Sequence, residues 1–430
     1  MKRRLLPILM TLVLVCALPI WAAFVTSGDV TNPLVCTAGA TSSEESAVDK
    51  LKLAISRGVD AQLTEDIEIT QTLYVERSMT IDLNGHVLKM TGDGSVLRVS
   101  DRATLTITDS RPQNPHTEPY AGLPAGGVIT GGKGPNVTGI YYDYVGGAVF
   151  LENGTTLKLE GGTLTGNSGS SIYIDGATLV MSGGTITGKT VGVHNNVGTF
   201  TMTGGRITGR SDRGVYVYNG NMTMSGTAYI GGNPNARKED IYVYESDHKH
   251  TDLSVTGGTI AGKVRIVFLE SLGPTQEELK AAANSVVKEQ GVFDGHIKVE
   301  KGTSGTCVDY NSVNFIDEVA KTRTLKLVLQ PNAVEEPETP ATVNGREFMY
   351  WTKEGASEAW DFNTVIEVPL TLYAVRTPAS SSGGYYYHPT TDTKADDAKG
   401  SPKTADPGVA LYAALSLLSL TGLTCATKKR

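Results

Sequence analysis

The sequence predicts an all-β protein built as a solenoid of stacked parallel coils, a parallel β-helix. Three observations carry this. A phrase recurs: GGTLTG at 161–166, GGTITG at 183–188, GGRITG at 204–209, and a decayed copy, GTAYIG, at 226–231. Its leading glycines, Gly161, Gly183, Gly204 and Gly226, are spaced 22, 21 and 22 residues apart. GGVITG at 126–131 precedes the series, and GGTIAG at 257–262 follows an insertion. A short fixed period is the signature of a repeat architecture. Each period also holds three short runs in which apolar and polar residues alternate, the two-residue period of a half-buried strand. Helical periodicity is absent from these coils, and Gly-Gly, Asn-Gly and Asp-Gly pairs fill the corners, where they tolerate positive φ.

The chain opens with Lys2, Arg3 and Arg4, an apolar run from Leu5 to about Trp21, then Ala22 and Ala23. Residues 1–23 are thus expected to be a secretory signal peptide. Residues 42–58 read as an amphipathic helix with Val48, Leu51 and Ile55 on one face. Ser42 is the expected N-cap, with Glu45 three residues on, and Gly58 the C-cap. An open coil end exposes apolar residues and unpaired strand edges, so this helix is expected to plug the solenoid.

Strand runs follow at 67–69, 73–75, 79–83, 86–90, 96–99 and 104–107. In the clear repeats the first run of each coil is LKL (157–159), LVM (179–181), FTM (200–202), MTM (222–224) and LSV (253–255). The second surrounds Leu164, Ile186, Ile207 and Ile260. The third is VFL (149–151), IYI (172–174), VGV (191–193), VYV (215–217) and IYV (241–243). Stacked about 4.8 Å apart, the coils would place Leu157, Leu179, Phe200 and Met222 in one buried column. Leu159, Met181, Met202 and Met224 would form another. Residues 263–269 read as the last coil. Residues 275–291 read as a helix with Leu279, Ala282 and Val286 on one face, and 292–330 alternate again and should cap the solenoid.

The phrase TIDLNGHVL at 80–88, with the helix before it, resembles the opening coil of bacterial pectate-lyase-like β-helix proteins. The resemblance covers about residues 43–265 and implies a right-handed, pectin-lyase-like solenoid, with 266–330 as its C-terminal cap. It implies little about activity, because the fold hosts many. After a linker at 331–343, residues 344–375 resemble the Listeria–Bacteroides repeat of internalin-type surface proteins. The matching residues are Tyr350-Trp351, Trp360-Asp361-Phe362-Asn363 and Leu370-Thr371-Leu372-Tyr373-Ala374. In that family the module is a stalk or adhesion element.

Residues 376–400 are rich in Ser, Gly, Thr, Asp and Lys and should form a flexible spacer. SPKTAD at 401–406 then precedes an apolar segment, Val409 to about Thr427, closed by Lys428, Lys429 and Arg430. The segment is long enough to cross a bilayer with its basic tail inside. This order resembles the sortase sorting signal of Gram-positive surface proteins. Ser401, Pro402, Lys403, Thr404 and Ala405 stand where the family has Leu-Pro-X-Thr-Gly, so Ser401 replaces Leu and Ala405 replaces Gly. The resemblance implies cleavage after Thr404 and linkage to peptidoglycan; the alternative is a plain C-terminal membrane anchor. Either way the body of the chain faces outward, on the surface or wall of a Gram-positive bacterium.

A net charge of −7 gives no electrostatic footprint for nucleic acid. Cys36 and Cys307 lie near opposite ends of the solenoid, too far apart for an expected bridge. Enzymes on this fold need paired carboxylates, or a basic residue beside a calcium-bound uronate. Neither a polygalacturonase-like set (NTD, DD, GHG, RIK) nor a pectate-lyase-like phrase is present. Asp175, Asp212 beside Arg213, and Glu239-Asp240 read as solvated corners, and Asp82 as structural. No cofactor or metal site is expected, and His194 lacks companions at ligand spacing.

One face is more suggestive. Aligning the third runs puts Tyr173, His194, Tyr216 and Tyr242 in one outward column, and Asp175, Asn196, Tyr218 and Tyr244 in the next. Flat rings beside hydrogen-bonding side chains suit an extended glycan, although tyrosine is also simply a good strand residue. The expected function is therefore non-catalytic: a wall-anchored surface protein presenting a β-helix for adhesion to a glycan or host protein. The rivals are a surface polysaccharide lyase or hydrolase with a non-standard site, and a ligand-free stalk.

Overall fold

The computed structural model describes residues 34–36, 46–133, 146–209, 213–232, 239–246, 253–286, 292–293, 295–302 and 307–378. The expected signal peptide, most of the spacer and the whole sorting signal, including Ser401, Pro402, Lys403, Thr404 and Ala405, lie outside these residues. Among the described residues no helix is long and apolar enough to cross a membrane.

The described chain is mostly β, in three sheets whose successive coils stack as parallel strands, with antiparallel strands added at one end of the third, compatible with a β-helix. Sheet A has nine strands, from Leu34–Cys36 to Leu253–Val255; sheet B has nine, from Ile67–Ile69 to Val292–Phe293; sheet C has thirteen and begins at Leu73–Val75. The chain visits A, B and C in turn: Thr156–Leu159, Thr163–Leu164 and Ser170–Asp175 are followed by Thr178–Met181, Thr185–Gly188 and Val191–Asn196. Pairing is in register with the repeat. Leu157 pairs with Leu179, Leu179 with Phe200 and Phe200 with Met222; Leu159, Met181, Met202 and Met224 do the same beside them. All eight are buried, within one continuous apolar core.

The glycine phrase has two physical reasons, one for each glycine. The second of each pair turns the corner in the left-handed region, as at Gly184 (φ 73°) and Gly205 (φ 79°). The first has no room for a side chain. A Cβ on Gly183 would lie 2.1 Å from the Glu160 carbonyl oxygen of the coil below, and one on Gly204 2.3 Å from that of Ser182. A buried amide inside the coils is satisfied locally. Asn195, fully buried at a position where neighbouring coils carry Ile174 and Val217, donates to the carbonyls of Gly198 (3.1 Å) and Asn221 (2.9 Å) and accepts from the Gly198 N–H (3.0 Å). Asp82 points outward and accepts from Gln62 and from the Asn84 and Ser110 N–H groups, tying consecutive coils together.

Helix α1, Ala47–Arg57, buries Ala47, Leu51, Ala54 and Ile55 in the core beside the first strands of the sheets. Its N-cap is Ser46, not Ser42: the Ser46 hydroxyl accepts from the Asp49 N–H, a cap at the correct spacing four residues further on. Gly58 closes it in the left-handed conformation, as expected. Helix α2, Gln276–Ser285, has a complete capping box between Thr275 and Glu278. Its buried face is Leu279, Ala283 and Val286, so Ala283 takes the central place expected of Ala282. The Val286 carbonyl accepts from the Val255 N–H (3.1 Å), covering the last strand of sheet A.

Lys263–Phe268 is not the final strand of its sheet, because His296–Lys301 pairs parallel to it in turn. Cys307–Asp317 then reverses direction, pairing antiparallel with His296–Lys301 and with Thr322–Leu329. Its first half, Val308 and Tyr310, packs on the core between the stacked sheets; its second half, Val313 and Phe315, packs with Trp351, Ile366 and Leu372 in a separate core. Leu370–Arg376 pairs parallel to Cys307–Asp317 and antiparallel to Phe348–Lys353, so residues 344–375 continue sheet C. A buried ion pair fixes this junction: Arg376 donates to both carboxylate oxygens of Asp317, at 3.0 and 2.5 Å to Oδ2 and 3.2 Å to Oδ1. Burial alone would raise the Asp317 pKa, but Arg376 and the Val319 and Ala320 N–H groups outweigh it, and the pKa is lowered. Cys307 is a free, exposed thiol.

Candidate ligand-binding face

The outer face of sheet C carries the aromatic residues. Ile172, Ile174, Val215, Val217, Ile241 and Val243 point inward and are buried, which sends the alternate residues out. Tyr173 pairs with His194, His194 with Tyr216 and Tyr216 with Tyr242. Because register is parallel and strands are about 4.8 Å apart, these rings meet. Centroid separations are 4.7 Å for Tyr173–His194, 4.5 Å for His194–Tyr216 and 5.4 Å for Tyr216–Tyr242. Tyr218 and Tyr244 stack in the next column at 5.7 Å with planes 9° apart, and there Asn196 donates to Asp175 (2.9 Å).

The ladder runs beyond the aligned third runs, past Phe150 at one end and Tyr242 at the other. Below Tyr173 stand Phe150, Arg98 and Tyr74, and above Tyr242 stand Arg265 and Lys298, all in register. Phe150 stacks on Tyr173 at 5.4 Å and 13°. Arg213 lies over the rings of Tyr216 (5.3 Å) and Tyr242 (4.1 Å), a cation–π cover that neither column predicts.

Depth varies along the ladder. His194 is only 6% exposed, enclosed by Tyr173 and Tyr216, so it separates rings and offers little surface of its own. Burial, aided by the positive charge of Arg213, lowers its pKa to about 3, and its imidazole is neutral at ordinary pH. Burial likewise raises the Tyr216 and Tyr242 hydroxyl pKa values, so both remain protonated hydrogen-bonding groups.

At the far end a cleft of about 230 Å³ is lined by Glu239, Lys263, Val264, Arg265, His296 and Lys298. Its charges are knitted together. Arg265 Nε donates to Glu300 (2.7 Å) and its Nη1 lies 3.5 Å from Glu239, while Lys298 pairs with Glu300 at 2.7 Å and His296 contacts Asp309. Burial would raise the Glu300 pKa, yet Lys298 and Arg265 hold it below the usual value. Asp175 is exposed, Asp240 is buried, and Asp212 lies outside the described residues. Among the described residues no group of three or more His, Cys, Asp or Glu side chains could hold a metal ion. No protein-family model matches the chain, and no curated protein and no solved structure shows significant similarity to it.

Proposed function

We propose that the chain is a right-handed, pectin-lyase-like β-helix held at the surface of a Gram-positive bacterium, and that the outer face of sheet C binds an extended glycan. The observation that carries this reading is the in-register ladder Phe150–Tyr173–His194–Tyr216–Tyr242, with Tyr218 and Tyr244 beside it. It presents flat apolar faces edged by hydroxyl and amide groups along one line, as a linear polymer of rings requires. In this reading residues 344–375 act as a Listeria–Bacteroides-repeat-like stalk element, and Ser401–Ala405 with the apolar tail direct sortase attachment to peptidoglycan. No cofactor or metal is invoked.

The test replaces Tyr173, Tyr216 and Tyr242 together by Ser. Each ring contributes on the order of 1 kcal/mol to a stacked contact, so the triple change should weaken glycan binding roughly a hundredfold. Ring–ring contacts are lost as well, so binding is compared only where the unfolding curve shows a folded variant. Unchanged binding would move the ligand off this face. A second reading, a ligand-free stalk, is favoured by the near-complete enclosure of His194: rings at 4.5–5.4 Å already satisfy one another. Absence of glycan binding by the wild type would move weight to it.

A further inference from the structure

The most accessible part of the ladder lies at its N-terminal end, not among the tyrosines of the clear repeats. Tyr74 is 54% exposed, whereas His194 at the middle is 6% exposed. Arg98, next in register, sits between two rings, its guanidinium carbon 6.0 Å from the centroid of Tyr74 and 4.9 Å from that of Phe150. Arg98 Nε donates to Glu152 Oε1 at 2.6 Å, and both side chains keep substantial exposure, 42% and 36%. Phe150 continues into Tyr173 by near-parallel stacking. The result is a guanidinium and a carboxylate, side by side and open to solvent, flanked by aromatic rings.

We propose that Tyr74, Arg98, Phe150 and Glu152 form a subsite for an uncharged pyranose unit of a glycan; this rests on the glycan-binding reading of sheet C and deepens it. The exposed ring of Tyr74 suits the apolar C–H face of a sugar ring, while Phe150, covered by Arg98 and Tyr173, offers an apolar edge. The guanidinium only donates and the carboxylate only accepts. Together they can satisfy two neighbouring hydroxyls, each of which does both. The charges of Arg98 and Glu152 cancel, so the subsite offers no net attraction to a sulfate or carboxylate on the ligand. Tyr74 and Phe150 are two strand spacings apart, about 10 Å, room for two consecutive sugars.

The experiment measures binding of the full chain by calorimetry to cellohexaose, xylohexaose and mannohexaose, with hexagalacturonate and a heparin hexasaccharide as charged probes. At least one neutral hexasaccharide should bind, and the charged ones should bind no better. Tyr74→Ala and Arg98→Gln should each weaken that binding about fivefold to tenfold, the scale of one aromatic or hydrogen-bonded contact, while Tyr74→Phe should retain it. Tyr74 is exposed, so its replacement leaves folding intact, which the unfolding curve checks. Wild-type affinity in Tyr74→Ala and Arg98→Gln, with loss in the Tyr173/Tyr216/Tyr242 triple variant, would overturn this subsite and leave the glycan reading standing. Binding of the charged hexasaccharides alone would overturn the uncharged class. No binding of any probe by the wild type would remove the glycan reading itself.

Discussion

Replacing Met202 tests the inward–outward assignment on which every other inference depends. Met202 is fully buried, paired in register with Met181 on one side and Met224 on the other, inside a column that continues through Leu159 to Ile107 and Ile81. Met202→Ala removes the thioether and leaves a cavity between coils, a change that costs about 2–5 kcal/mol in cores. Met202→Asp adds the burial of a carboxylate with only apolar neighbours in its column, which costs several kcal/mol more or forces the group to stay protonated. Thr201 is one residue away, half-buried on the outer face, where it accepts a hydrogen bond from Thr223 (3.2 Å). Thr201→Asp should therefore cost about 1 kcal/mol, the scale of one hydrogen bond. Urea unfolding followed by circular dichroism gives both numbers. It should be read with a second probe, since stacked repeats can lose cooperativity. The Met202→Asp deficit should shrink as pH falls and the carboxylate protonates. Equal costs for Met202→Asp and Thr201→Asp would mean that Met202 does not face the core.

His194 should make stability pH-dependent: its folded pKa of about 3 lies below the ordinary value of 6.5, so the unfolded chain binds the extra proton between them. Its contribution is intact above pH 6.5 and lost as pH falls toward 3, by about 1.4 kcal/mol per pH unit at most; His194→Phe should flatten that part of the stability–pH profile. Arg376→Met should cost about 3–5 kcal/mol by leaving Asp317 buried and unpaired, and the double change Arg376→Met, Asp317→Leu should recover much of it. For the intact pair, the depressed Asp317 pKa means stability present above the ordinary carboxylate range and lost as pH falls through the folded value. Thr404→Ala should leave the protein extractable from cells by detergent; a wild-type chain that already comes off with detergent would favour the simple membrane anchor.

The coils were legible because two signals coincide in them. Gly183 and Gly184 answer to different constraints, a missing Cβ and a left-handed φ, and both demand glycine at a fixed step. Alternation within each run then sets which side chains face in, and stacking follows from the period. What sequence could not show depends on neighbours distant along the chain. His194 is placed on the outer face by alternation, but its enclosure comes from Tyr173, Tyr216 and Arg213. Phe150 was already in line as the centre of VFL, but Arg98 and Tyr74 were hidden because an insertion puts Arg98 far off the 21- to 22-residue step from Phe150. Arg376 falls one residue beyond the expected module, and nothing local points to Asp317. Asn195 breaks the inward apolar pattern for a corner whose partners, Gly198 and Asn221, lie in two coils. The Ser46 cap was present in the sequence as Ser-x-x-Asp, masked by the equally plausible serines upstream.

Glycan binding along sheet C is tested by side-chain footprinting of the wild-type chain, with and without a saturating oligosaccharide chosen from a glycan array. Hydroxyl-radical labelling read by mass spectrometry reports each aromatic ring separately. Protection is expected at Tyr74, Phe150, Tyr173, Tyr216 and Tyr242 on the outer face of sheet C, with unchanged labelling of Tyr229 on sheet B and of Tyr350 on the strand Phe348–Lys353. Protection of Tyr229 or Tyr350 with sheet C labelled as in the free protein would contradict glycan binding along sheet C.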